Sequence, residues 1–352
     1  MARIGINPAR GKVTDHRPAP VTVTMLTYIP YLSGYFEHRL EVLKLVFASL
    51  FAHTTSPYDL LVFDNGSCST VIDYLRKLQH AEQSGYLKAI DYLILSPKNI
   101  GKVDALKIMF NAAPGEIIAY NDDDILFYPG WLEAHLEIFK YFPQAGMVSG
   151  IAVRNAAEHA RKSLDKFAAE GGAGLTSFRE RRIRDDWEAD WALSTGRDPQ
   201  VHLQATHEHM DLVLRQEKPG KQGVIEAIGS ANHFQFVSPR QVILQALPAE
   251  RSGKLMGSMI ELDEAIDNLG YLRLSTVDRF TRHLGNTLSD AVVSEAKALG
   301  LPAKGNTEEI KAPLKQETRR IIARKRHWFL RMPGGRRILT RVYDRIFDIL
   351  YR

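Results

Sequence analysis

Cysteine is nearly absent from this 352-residue chain, where Cys68 stands alone. One thiol excludes an internal disulfide framework and any zinc site built from several cysteines; it fits a reducing compartment and leaves Cys68 as a plain loop residue. Long apolar runs are missing as well. The opening residues, MARIGINPARGKVTDHRPAP, hold no stretch of signal-peptide character, and no window approaches the roughly 20 apolar residues of a membrane span. Neither secretion nor a transmembrane helix is expected. Acidic residues are scarce in one place only: residues 311–352 carry thirteen Lys or Arg against three Asp or Glu, a net +10. Residues 1–310 therefore sum to −5, and the formal +5 of the chain belongs to its carboxyl-terminal segment.

What is present is an ordinary globular composition, 45% hydrophobic, enough for one large domain with an appendage. Val21 to Tyr28 (VTVTMLTY) reads as a strand, and apolar residues at helical spacing follow from about Tyr35 to Phe51. The rhythm repeats. Tyr58 to Asp64 is a strand ending in the polar turn Asn65-Gly66-Ser67, with a helix from about Thr70; Ala89 to Leu95 is a strand leading through SPKNIG (96–101) into a helix; Glu116 to Tyr120 is a strand again. Strands alternating with helices at this spacing predict an α/β fold with a doubly wound, mainly parallel sheet and helices on both faces. In such a sheet the loops leaving the carboxyl ends of the strands form the ligand crevice.

One of those loops is Asn121-Asp122-Asp123-Asp124, in the stretch GEIIAYNDDDILFYPGWLE. Three consecutive carboxylates repel one another, so something must offset the repulsion. In extended backbone residues i and i+2 face the same way, which would let Asp122 and Asp124 converge while Asp123 points elsewhere. A hard divalent cation, Mg²⁺ or Mn²⁺, takes one or two protein carboxylates and completes its shell with water and phosphate oxygens. A solvated Asp-rich turn that binds nothing is the bland alternative.

The succession VTVTMLTY, VFDNGS, NIGKVDAL and IIAYNDDDILFYPGWLE, over about residues 20–153, resembles the nucleotide-sugar-binding half of family-2 glycosyltransferases with the A-type (GT-A) fold. The resemblance implies that Thr27 and Tyr28 lie near a nucleobase and that Asp64 accepts a hydrogen bond from it, with Asn65 beside it in the donor-binding loop. It implies that Asn99, Gly101 and Lys102 belong to a loop closing over the nucleotide. Asp122 and Asp124 would form the Asp-x-Asp metal motif holding the diphosphate of the donor, a UDP-sugar by expectation. Each has a plainer reading: Asp64-Asn65-Gly66 is also a good turn, and Lys102 a solvated helix-start residue.

The regular rhythm stops after Met147 to Asn155. Residues 154–223, rich in charge and tryptophan, match no motif and are expected to form a helical insertion, with Trp187 and Trp191 on one helix face as a packing pair. Order returns at Val224 to Leu247, read as two strands and a helix opening at Pro239, then an amphipathic helix, IELDEAIDNLGYLRLS (260–275), ended by Gly270 and followed by a strand. In family-2 enzymes a carboxylate at the start of this helix is the general base on the acceptor hydroxyl. The usual pattern there is Glu-Asp-x-Asp, whereas this chain offers Glu261-Leu262-Asp263, so Asp263 is the first candidate, Glu261 the second, and Glu264 stays open. An acidic helix N-terminus is also favourable by dipole alone. His283, before Leu284-Gly285-Asn286, matches the late histidine that several A-type enzymes use as a third metal ligand, and neutral imidazole suits Mn²⁺.

The expected organisation is an extension (1–20), a nucleotide-sugar-binding half (21–153), the insertion (154–223), an acceptor half (224–290) and a helical region with a basic tail (291–352). The expected activity is metal-dependent, inverting sugar transfer from a nucleoside-diphosphate sugar to a glycan or lipid-linked acceptor in glycan or envelope polysaccharide synthesis. A nucleotidyltransferase would lead with a Gly-rich phosphate loop, which Thr27-Tyr28-Ile29-Pro30 is not. A nucleic-acid binder using the basic tail leaves the Asp triplet unexplained, and no nucleic-acid partner is expected. In the tail, Ile338, Val342, Ile346 and Leu350 recur every four residues beside Leu339, Tyr343, Phe347 and Tyr351, with arginines outside both rows. That mixture suits an anionic lipid surface, hence a cytoplasmic protein peripheral on the inner face of the plasma membrane; packing on the catalytic domain or a second subunit is the alternative.

Overall fold

The computed structural model describes residues 17–80, 88–154, 159–220, 222–248 and 259–303. The basic segment 311–352 and most of the expected extension lie outside the described residues. Four short strands built from continuous apolar sequence set the architecture: β1 (Val21–Thr27), β2 (Tyr58–Asp64), β3 (Tyr92–Leu95) and β4 (Ile117–Asp122). They lie side by side in the order β3-β2-β1-β4 and run parallel. A side-chain period of two sends Leu60 and Val62 of β2 to one face and Leu61 and Phe63 to the other, into separate apolar clusters. A strand buried on both faces needs a helix on each, which is why its sequence is apolar throughout rather than alternating.

The first face is covered by α1 (Arg39–His53) and α2 (Ser69–Leu78). The second is covered by α3 (Lys102–Ala112), and later by two helices of the carboxyl-terminal half. After β4 the chain makes the short strand β5 (Ile125–Phe127), the helix α4 (Trp131–Tyr141) and β6 (Ala145–Ser149). Cys68 is half-buried at the N-cap of α2, its carbonyl accepting from the Val71 and Ile72 amides, so it is a helix-start residue rather than a free loop.

Residues 154–223 supply α5 (Lys162–Glu170), α6 (Asp185–Ser194) and α7 (Pro199–Ala205), and also two strands, β7 (Leu175–Glu180) and β8 (Asp211–Glu217). The purely helical reading is thereby corrected. β7 buries none of its residues and lies at the sheet edge, so it never shows the apolar run that marks a buried strand. The charge in this segment turns inward: Arg154 is fully buried, donating to Asp185 Oδ1 at 2.8 Å and to the Ile183 carbonyl, while Asp211 Oδ2 accepts the Arg182 and Ile183 amides at 2.8 Å each. Trp191 is buried and Trp187 lies against Arg184 and Arg279, both in packing roles.

The sheet is completed by β9 (Val224–Ile228), β10 (Gln235–Pro239) and β11 (Leu272–Thr276), giving ten strands in the order β3-β2-β1-β4-β10-β6-β11-β9-β8-β7. β7, β9 and β10 oppose the common direction of the other seven. The helices α8 (Arg240–Ala246) and α9 (Met259–Asn268) pack on the second face, and α9 buries Met259, Leu262, Asp263, Ile266 and Asp267, one helical stripe. A separate two-stranded ribbon joins β5 to β12 (Thr281–His283), and α10 (Asp290–Ala298) closes on the first face. None of the described helices is long and apolar enough to cross a membrane.

Register brings the chemistry to one end. Thr27 pairs with Asp64, Asp64 with Leu95, and Leu26 with Asp122, so the carboxyl ends of the parallel strands finish level. Because β10 runs the other way with Gln235 opposite Asn121, the loop 229–234 arrives at that same end.

Candidate active site

The loops after β1, β2 and β3 are tied into one floor. Asp64 Oδ1 accepts the amides of Gly66 at 3.1 Å and Ser67 at 3.0 Å, closing a turn on itself. Gly66 takes φ +93°, and a Cβ there would lie 2.7 Å from the Lys98 carbonyl carbon, so both conformation and space require glycine. Asn65 donates through Nδ2 to Asn99 Oδ1 at 3.0 Å and accepts the Ile100 amide at 2.9 Å; Asn99 Oδ1 also accepts the Gly101 amide at 2.8 Å. Gly101, with φ +88°, caps α3, which begins at Lys102. Thr27, Asp64, Asn65, Asn99, Gly101 and Lys102 are thus brought together, and Tyr28 beside them is 36% exposed. Two buried oxygens on register-paired residues, Thr27 Oγ1 and Asp64 Oδ2, have no protein partner among the described residues. A buried acceptor left open costs roughly 1–3 kcal/mol unless something donates to it, which marks this floor as a binding surface.

The Asp triplet is arranged differently from strand alternation. β4 ends at Asp122, and Asp123-Asp124 form the turn into β5, so the i, i+2 rule does not reach Asp124. Lys102 Nζ lies 2.7 and 2.8 Å from the two oxygens of Asp122, which also accepts from the Tyr120 hydroxyl. Burial, then the charge of Asp122, holds that hydroxyl protonated, well above the ordinary tyrosine range. Asp123 and Asp124 share a cation absent from the sequence reading, Arg39 at the start of α1. Its guanidinium pairs with Asp123, donates to Asp124 Oδ2 at 3.0 Å, and reaches the Gly285 carbonyl at 2.8 Å. Burial pushes the Asp123 carboxyl up to about 6 despite Arg39. For Asp124 burial acts the same way, but His283 and Arg39 outweigh it and hold the carboxyl below its usual range.

His283 reaches Asp124 because β12 pairs with β5, placing His283 opposite Ile125; the Leu284 amide donates to the Asp124 carbonyl at 2.8 Å. Its Nε2 lies 3.5 Å from Asp124 Oδ2, and its Nδ1 is 2.8 Å from Ser194 Oγ at the end of α6. The Ser194 hydroxyl donates to the Trp191 carbonyl at 2.8 Å, so its oxygen accepts the Nδ1 proton and leaves the neutral ring's lone pair on Nε2. Asp124 Oδ1 is buried without a partner among the described residues. When the ring is neutral, its lone pair and the carboxylate facing it call for positive charge between them, the place that a proton on Nε2 fills when it holds the Asp124 carboxyl down. No group of three His, Cys, Asp or Glu side chains among the described residues forms a ready cage. Mg²⁺ or Mn²⁺ bound to a diphosphate needs only one or two protein ligands, and Asp124 with His283 fits that demand.

Asp263 meets a different setting. It lies on the inner stripe of α9, its side chain 1% exposed, while Glu261 and Glu264 fall on the outer face of the helix. Asp263 Oδ2 is 2.9 Å from His159 Nε2, 3.2 Å from His233 Nδ1 and 3.1 Å from Arg273 Nη2. Burial would raise this carboxyl, but hydrogen bonds from the two histidines and the charge of Arg273 push it down to about 2. A carboxylate that acidic and that enclosed is a poor proton acceptor at neutral pH, which weighs against direct general-base work by Asp263. Asp267, one turn on, accepts the Lys162 and Ser163 amides at 3.0 and 2.8 Å and caps α5.

The mainly parallel sheet, with the loops and the acidic turn at the carboxyl ends of its strands, defines a GT-A-like fold. Residues 35–193 match the family model described as Glycosyl transferase family 2. No curated protein sequence matches the chain. Among solved structures, the chain is similar to the mannosyltransferase PcManGT from Pyrobaculum calidifontis in complex with GDP-Man and Mn²⁺, at 21% identity over 40% of this chain and 37% of that one, TM-score 0.31. GalNAc-T7 with UDP, GalNAc and Mn²⁺ aligns at 11% identity over 76% and 44%, TM-score 0.44, and S. aureus TarS 1–349 at 13% over 38% and 34%, TM-score 0.29. The chain thus spans between a third and under a half of the length of these structures.

Proposed function

We propose that the protein transfers a sugar from a nucleoside-diphosphate sugar, a UDP-sugar first, to an acceptor hydroxyl with inversion at the anomeric carbon. Residues 21–153 would hold the donor and 224–290 the acceptor, across one continuous sheet. The observation that carries this is the convergence at the carboxyl end of β4: Asp124 with an unpartnered buried oxygen, the lone pair of His283 beside it, and Lys102 on Asp122. Thr27 Oγ1 and Asp64 Oδ2 would receive the base, and the Asn65–Asn99 clasp with Gly101 would shape the wall along the ribose and phosphates. Asp124 and His283 would hold a divalent ion, Mn²⁺ or Mg²⁺, with Asp122 nearby; when bound, it would neutralise the charge of the leaving diphosphate. Lys102 adds a fixed cation there, and Arg39 keeps the acidic turn from collapsing or opening. With no carboxylate nucleophile assigned, the reaction needs one displacement, hence inversion.

Thermal melting with UDP-, GDP- and dTDP-sugars, with and without Mn²⁺, tests the reading: one donor class should raise the melting temperature in a Mn²⁺-dependent way and be hydrolysed slowly. No stabilisation and no hydrolysis by any of them would sink it. The basic segment 311–352 supports a further proposal, that the enzyme works on an anionic membrane surface, on a lipid-linked or envelope-glycan acceptor. Each Lys or Arg near such a surface contributes about 1 kcal/mol. Full-length chain should co-sediment with liposomes containing anionic lipid, less so at high salt, and a chain ending before Lys311 should not; binding to neutral vesicles alone, or none, would refute it.

A further inference from the structure

Four separated parts of the chain meet at Asp263: the segment leading into α5, the loop before β10, the inner stripe of α9 and the start of β11. Asp263 cannot touch a substrate, with its side chain 1% exposed, but the His233 ring it faces is 36% exposed. A carboxylate can only accept, so the neutral His233 ring carries its proton on Nδ1, toward Asp263, and keeps a lone pair on Nε2. The position of this ring is built. The Asp122 amide donates to the Phe234 carbonyl at 2.8 Å, placing His233 one residue from the acidic strand end. Asn232 donates through Nδ2 to the Ile151 carbonyl at 2.6 Å and through its amide to Ser149 Oγ at 2.7 Å; Arg273 Nη2 donates to the Ala231 carbonyl at 2.7 Å. A loop fixed at Ala231, Asn232 and Phe234 holds the histidine between them in one place.

We infer that His233 is the general base of the sugar transfer proposed above, with Asp263 as its positioning residue. The inference rests on that reading of the function. The acceptor O–H bond breaks and its proton passes to His233 Nε2, while the oxygen's electron pair forms the bond to the anomeric carbon. The bond from that carbon to the diphosphate oxygen breaks, its electron pair leaving on the nucleoside diphosphate. Asp263 fixes the tautomer and stabilises the imidazolium; among the described residues His233 pairs with Asp263, whose carboxylate also meets His159 and Arg273. His159 meets the same carboxylate through Nε2 at 2.9 Å, which leaves only Nδ1, next to its own backbone, for any other work.

The test uses the full chain with Mn²⁺ and the hydrolysis of UDP- and GDP-sugars, in which water stands for the acceptor. His233→Gln should lower kcat by roughly 10²-fold or more while the donor KM stays within about threefold. The acid limb of the kcat profile should vanish in that variant. His233→Ala should regain turnover on addition of imidazole, which an unfolded protein could not do, and His233→Gln should not. Wild-type kcat in His233→Gln, a loss confined to KM, or a kcat loss in His159→Gln with His233→Gln still active overturns the assignment alone. A wild-type chain that neither hydrolyses nor is stabilised by any of these donors overturns the glycosyl-transfer reading and this inference with it.

Discussion

Two carboxylate centres lie at the same end of the sheet, and they are assembled in opposite ways. At the Asp122–Asp124 turn three acids adjacent in sequence face two cations brought from elsewhere, Arg39 and Lys102. At Asp263 one acid is enclosed by His159, His233 and Arg273 from three other segments. The first centre sets three carboxylates against two cations and is left short of positive charge. The second sets one carboxylate against one guanidinium and two imidazoles, all three donors meeting Oδ2, while Oδ1 is buried without a partner among the described residues. A cluster short of positive charge recruits a cation or ligand, whereas a carboxylate already matched by a cation serves to orient its neighbours.

The largest effect expected from breaking this comparison is at Arg39. Its guanidinium is buried between Asp123 and Asp124, and Arg39→Leu leaves both carboxylates without it in a closed site. Removing one partner of a buried pair costs about 3–5 kcal/mol, because the charge left behind is desolvated and alone. Urea denaturation should show a loss of that size. A midpoint unchanged from wild type would mean that water already reaches these carboxylates, and the contrast with Asp263 would dissolve.

The two centres also differ in how far sequence exposes them. The acidic turn, its strand and the loops at Asp64 and Asn99 were legible, since the residues lie together in motifs and alternate with apolar strands. The place of His283 beside Asp124 followed from resemblance alone. Arg39 was not legible, because a single arginine at the start of an apolar helix carries no pattern; its role exists only once β5 and β12 pair beneath it. The same holds for His233, which sequence presents as one residue of a small-residue loop. The strands β7 and β8 escaped because β7 buries none of its residues, β8 buries a run of only four, and two helices separate them in sequence. Contacts between distant segments hold no local periodicity to read.

A smaller loss is expected at Asp263→Asn, which keeps the shape but removes the charge opposite Arg273, a side chain 3% exposed. Roughly 2–3 kcal/mol should be lost. Acid titration sharpens the point. The folded carboxyl stands at about 2 against an ordinary 3.8, so its contribution is fully present above pH of about 4 and disappears as pH falls toward 2. The shift corresponds to about 2 kcal/mol. The wild type should therefore lose stability through that window while Asp263→Asn is nearly flat there apart from other groups; parallel curves would show that Asp263 is not held as the geometry indicates.

The smallest effect on stability, and the most informative about the first centre, is expected at Lys102→Met. Lys102 and Asp122 are partly open to solvent, with side chains 11% and 24% exposed, so screening should limit the loss to about 1 kcal/mol or less. Methionine keeps the apolar stem that packs at the start of α3 and removes only the ammonium. Asp122 is then left with the Tyr120 hydroxyl as its donor, and the turn becomes one positive charge poorer. If undercompensation is what recruits a cation, Mn²⁺ without any donor should raise the melting temperature of Lys102→Met more than that of wild type. Donor turnover should meanwhile fall, since the fixed charge beside the leaving diphosphate is gone. Asp263→Asn gives the contrast: it removes an acid from a centre already matched by a cation, so Mn²⁺ should stabilise it no more than wild type. An equal Mn²⁺ response in wild type and Lys102→Met would show that Asp122 is not part of the cation-seeking cluster and that Asp124 and His283 act without it.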